Sequence, residues 1–167
     1  MRTAFLCLIG ALACCSTAAA EDGCGRFAWP VEQARTALLA PGQPSVATGD
    51  SLSAMPQQAL SLHLAPMADA RFAMAPERKP KDGASYGGIV RLPAPPAPGI
   101  YQVALSQDAW IDIVQDGRYA RSVGSSGRRD CPGLRKTVRF ELSASPFVLQ
   151  VSGAPTEALS LVFGPVR

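Results

Sequence analysis

Four stretches in the second half of the chain repeat apolar residues at every second position. Tyr101, Val103 and Leu105 fall in phase, as do Ile111 and Ile113, then Val138, Phe140 and Leu142, and finally Leu159, Leu161 and Phe163. A period of two alternates side chains between the faces of a strand, so each stretch predicts a strand with one buried face. The stretches are short and are separated by Gly, Pro, Ser and Asp. Short strands punctuated in this way predict a mostly β fold, an antiparallel β-sandwich or jelly roll.

The first half is less regular. Pro30 precedes Val31, Ala34 and Leu38 at helical spacing, and Pro41-Gly42 follows them. This predicts one short N-terminal helix of about ten residues, starting at Pro30, with Phe27 and Trp29 packed beneath it. "QALSLHLAP" (58–66) predicts a strand, "ARFAMAP" (70–76) a second one paired with it, and "IVRL" (89–92) a third. The charged stretch 76–88 is expected to be exposed. "PAPPAPG" (93–99) is expected to be a stiff connector inside a single domain. "RYARSV" (118–123) predicts one short strand, and "GSSGRRDCPG" (124–133) a loop.

Residues 1–20 read as a secretory signal peptide. Arg2 is followed by the apolar run "AFLCLIGALACC", and Ala18 and Ala20 stand at the small-residue positions before Glu21. The apolar run is short of the roughly 20 residues that a membrane span needs, so no transmembrane segment is expected once it is removed. The expected compartment is periplasmic or secreted, with 21–167 as one domain. Cys7, Cys14 and Cys15 leave with the signal. Cys24 and Cys131 remain, and in an oxidising compartment they predict a disulfide.

Without Arg2, 15 basic residues stand against 13 acidic ones, too even a balance for nucleic acid. The basic residues are nevertheless concentrated. Arg128, Arg129, Arg135, Lys136 and Arg139 fall around Cys131 and on the strand that follows it. By strand parity Arg135 and Arg139 share an outward face with Thr137. Two readings follow: a site for a carboxylate or phosphate, to which the arginine fork is suited, or cations that guard an exposed strand edge.

Catalytic sets are not apparent. His63 is the one histidine, and there is no G-x-S-x-G elbow. A facial iron triad needs two histidines. Asp108, Asp112 and Asp116 repeat every four residues, which on a strand sets them about 13 Å apart, too far for paired acid chemistry. Asp112 lies mid-strand and needs a partner if buried; the expectation is a structural ion pair with Arg135 or Arg139. A soft copper site could use His63 with Met55, Met67 and Met74, although methionines more often fill gaps in a core.

"CGRFAWPVEQ", "PGIYQVALSQDAWIDIVQDG", "CPGLRKTVRFEL" and "LQVSGA" resemble a family of small secreted proteins from proteobacteria over nearly all of 21–167. Some members carry a homogentisate 1,2-dioxygenase label. Such enzymes bind iron through histidines and a glutamate, and a chain with His63 alone cannot supply that set, so the label is not carried over. The G-x-Y-x-V and L-Q-V-S-G stretches are also similar to the accessory β-sandwich modules of secreted peptidases, which are non-catalytic. The expected function is therefore a non-enzymatic accessory or binding protein without a cofactor. Its expected partner is an anionic envelope polymer or an acidic protein surface. The rivals are a copper-binding protein and a structural module that acts through a protein partner.

Overall fold

The computed structural model describes residues 23–79 and 85–166. The predicted signal peptide, 1–20, lies outside the described residues. A 3-10 turn (Gly23–Arg26) leads into helix α1 (Glu32–Leu39). Then come β1 (Ser45–Ala47), β2 (Leu60–His63), β3 (Ala65–Pro66), β4 (Tyr86–Leu92), β5 (Gly99–Leu105) and β6 (Trp110–Gln115). β7 (Arg118–Tyr119), β8 (Ser122–Gly127), β9 (Lys136–Leu142), β10 (Phe147–Ala154) and β11 (Ala158–Pro165) complete the order.

The strands form two facing sheets, ordered β1-β2-β11-β5-β9-β8 and β3-β4-β10-β6-β7. Every pairing is antiparallel except β1 with β2. The protein is thus a β-sandwich with one short helix. The in-phase residues of the sequence meet in its core: Val103, Leu105, Ile113, Phe140, Leu142, Leu149 and Leu161 are all buried there, and Tyr101 stacks on Phe163. Burial of such side chains contributes about 1.5–3 kcal/mol each, which makes this layer the main source of stability.

Several predicted strands are redistributed, because a single chain must serve both sheets. The 58–66 stretch splits at Leu64 into β2 and β3, one in each sheet. "RYARSV" splits in the same way: β7 pairs with β6, and β8 joins β9. "GSSG" is the second half of β8 and not a loop. Its pairing with β9 supplies what weak strand propensity does not, since strand preference is set largely by neighbours. "ARFAMAP" forms no strand; it runs as an irregular strap across the outer face of the second sheet. The predicted exposed stretch 76–88 ends inside β4, with Gly87 and Gly88 buried. Helix α1 begins after Val31, so Pro30 precedes the helix without opening it. The Pro-rich connector carries the chain from β4 in one sheet to β5 in the other, and Tyr101 fastens it by donating its hydroxyl hydrogen to the Ala97 carbonyl at 2.7 Å.

Both sheets are also covered on their outer faces. Helix α1 and the residues before it lie on the first sheet, where Phe27, Val31, Ala34, Leu38 and Leu134 form a second apolar cluster with Ala104. This cover explains why Thr137, polar and outward-facing by sequence, is fully buried.

Candidate anion-binding cleft

The Cys131 loop is tied to the N-terminal segment at several points. Cys24 and Cys131 form the predicted disulfide, 107 residues apart in sequence. Beside it the Gly23 N–H donates to the Asp130 carbonyl at 2.9 Å, and Arg26 pairs with the Asp130 carboxylate. Arg35 donates to the Pro132 carbonyl at 2.9 Å. Gly133, at φ +80, turns the loop in the left-handed region that favours glycine, and any Cβ there would collide with Leu39. Leu134 is fully buried beneath this assembly. The basic residues around Cys131 are therefore carried on a held loop.

This loop, the end of β8 and the start of β9 enclose a cleft of about 290 Å³. Ser125, Ser126, Gly127, Arg128, Arg129, Arg135 and Lys136 line it, together with Asp108 from the β5–β6 connection. The volume is at the lower end for ligand sites and suits one small charged group better than an extended small molecule. Four cations face one acid.

The four cations are not equivalent. The Arg128 guanidinium is occupied by the Arg26 and Gly127 carbonyls. The Lys136 ammonium donates to the Ala109 carbonyl at 2.8 Å and lies 4.9 Å from the centre of the Trp110 ring. Burial holds its pKa below the ordinary 10.5; nearby Arg78 lowers it further, against the upward pull of Asp108 and Asp112. Among the described residues, neither Arg129 nor Arg135 has a hydrogen-bond or ion-pair partner for its guanidinium.

Three expectations are corrected here. First, Arg139 is not part of the cluster. It lies on the outer face of the first sheet, 4.1 Å from the Trp29 ring centre and bonded to the Gln102 side chain, in a separate groove beside α1. Arg135 precedes β9, so strand parity does not bind it to the Arg139 side. Second, β9 is not an edge: it lies between β5 and β8, and the edge is β8. Third, Asp112 has no arginine partner among the described residues. Its carboxylate accepts from the Trp110 indole N–H at 2.6 Å and from the Glu77 backbone N–H at 3.2 Å. Burial raises its pKa above 3.8, against the lowering effect of these two donors.

The copper candidates occupy separate surroundings. His63 is exposed on β2, Met55 packs against the sandwich core, Met67 lies over Gly87, and the Met74 backbone is held by Gln150. Among the described residues, no three of His, Cys, Asp and Glu converge as a metal site would require. Nor, among them, is any helix long and apolar enough to cross a membrane. The cleft's Asp108, Ser125 and Ser126 were not legible as site residues, since the pairing of β8 with β9 brings the two serines beside Arg135 and the β5–β6 connection brings Asp108. No family model, curated protein or solved structure matches this chain.

Proposed function

We propose that this protein is a secreted or periplasmic, non-enzymatic binding module of the small proteobacterial family that its sequence resembles, and that its cleft takes an anionic group. The group would belong to an envelope polymer or to an acidic protein surface. One observation carries the reading: Arg129 and Arg135 present guanidinium groups without protein partners in a cleft whose loop is held by a disulfide. A preorganised arginine pair loses little freedom on binding and offers forked donors to a carboxylate or phosphate. The edge-guard reading loses its support for Arg135, Lys136 and Arg139, which are not on an edge strand.

The test is titration of the purified protein with polygalacturonate, a carboxylated polymer, at rising NaCl. Binding is expected to weaken with salt. It should be largely lost in Arg129→Ala/Arg135→Ala and kept in Arg139→Ala. Binding indifferent to salt, or equal in the double variant and the wild type, would overturn the proposal.

A further inference from the structure

The cleft is walled by a free strand edge. Among the described residues, β8 ends its sheet, pairs only with β9, and runs for six residues. The other sheet edges, β1, β3 and β7, are two or three residues long. Proteins commonly blunt long edges with proline, lysine or an inward charge. Between Ser122 and Gly127 β8 has none of these; it carries only a register shift near Val123, itself an exposed apolar residue.

The direction of the free groups follows from the ladder. The Arg128 N–H donates to the Arg135 carbonyl at 3.1 Å, in register with the pairs Ser126–Thr137 and Gly124–Arg139. Antiparallel strands alternate residues that bond the partner with residues that turn away. Ser125 and Gly127 therefore direct their N–H and C=O groups outward. Both residues line the basic cleft.

We infer that β8 accepts an extended acidic segment of a partner protein as an added strand, whose carboxylate side chains enter the cleft beside it. This rests on the anion-binding reading above and names the form in which the anion arrives. A strand added about 4.8 Å from β8 would bond the outward groups of Ser125 and Gly127. Its alternate side chains would project on the cleft side, within reach of Arg129 and Arg135. Charge selects the occupant. Arg118 and Arg121 precede β8, and Arg128 and Arg129 follow it. A two-fold antiparallel pairing of two copies about Ser125 would set Arg121 of each, whose charge its own Glu141 partly offsets, opposite Arg129 of the other, and like charges in facing positions disfavour a sheet. An acidic strand meets no such opposition.

The experiment uses the full protein and the peptide acetyl-Glu-Val-Glu-Val-Glu-Val-amide, which places its carboxylates on one side when extended. Three further probes accompany it: the same peptide N-methylated at every residue, its Lys-for-Glu counterpart, and polygalacturonate. The acidic peptide should bind and should slow hydrogen exchange at Ser125 and Gly127. The N-methylated peptide should bind roughly tenfold or more weakly, the scale of one or two lost hydrogen bonds. Ser125→Pro removes an outward donor and leaves the β9 ladder intact, so it should weaken the peptide by a similar factor. Equal binding of the plain and N-methylated peptides would overturn the added strand and leave the anion cleft standing. Failure of the acidic peptide and of polygalacturonate together would overturn both. A dimer that protects the same amides without peptide would replace the acidic partner with a second copy of the chain.

Discussion

The two outer faces of the sandwich are covered in opposite ways. On the first sheet, α1 and the residues before it bring apolar side chains to Ala104 and are held by the Cys24–Cys131 bond. On the second, a strap without regular structure is held by polar groups projecting from the sheet. Gln150, 1% exposed, accepts from the Ala73 and Met74 N–H groups and donates to the Met74 carbonyl. Asp112 takes the Glu77 N–H, and Tyr119 donates to the Ala75 carbonyl. An irregular segment leaves its backbone groups unpaired, so it can be laid over a sheet only where side chains satisfy them. A helix satisfies its own and can lie on apolar residues. Among the described residues, Thr137 Oγ1 and Trp29 Nε1 on the helix side, and Ser152 Oγ on the strap side, find no hydrogen-bond partner.

The contrast can be broken from either side. The largest effect is expected from Cys24→Ser/Cys131→Ser. Chain entropy for a loop of this length gives a loss of up to about 4–5 kcal/mol. Chemical denaturation of the pair of variants would measure it, with loss of cleft binding expected alongside. Gln150→Ala leaves three strap backbone groups without partners and should cost about 2–3 kcal/mol. Its signature is faster hydrogen exchange at Ala73 and Met74, with the helix side unchanged. Next comes Gly87→Ala. Its added Cβ would fall 2.6 Å from Met67 Sδ and 2.7 Å from Phe72 Cζ, so the strap must shift, at about 1–2 kcal/mol in thermal or chemical unfolding.

The smallest effect concerns the slope of stability with pH. Because burial raises the Asp112 pKa in the folded state, its contribution is complete below the ordinary value of 3.8 and is lost as pH rises through the raised value. Asp112→Asn removes that titration while keeping one acceptor for Trp110 or Glu77. The stability advantage of the wild type over the variant should therefore shrink as pH rises from 3.8 through the raised value. An advantage that grows over this range would show that the ionised carboxylate is stabilised by its two donors more than it is penalised by burial.

Legibility in the sequence followed the same division. The inner faces could be read, because Val103, Phe140 and Leu161 sit in a repeat that permits one arrangement only. The outer faces could not. Thr137, Asp112 and Gln150 alternate with the core residues as solvent-facing positions would, yet all three are buried beneath covers that come from distant parts of the chain. The cleft was half legible. Arg128, Arg129, Arg135 and Lys136 stand close in sequence and meet in space, whereas Arg139, grouped with them by proximity and strand parity, faces elsewhere.

Local periodicity and the count of cysteines were enough to determine a β-sandwich, its inner core and the Cys24–Cys131 bond, because each depends on spacing along one strand or on the one pair left when the expected signal peptide is set aside. Which strand forms the edge, what covers each sheet and which cations share a cleft depend on the order of strands across the sheets. That order is set by contacts between residues tens of positions apart, such as β5 with β11 and β4 with β10. The tertiary structure alone decided it, since no one segment contains both partners of the contact.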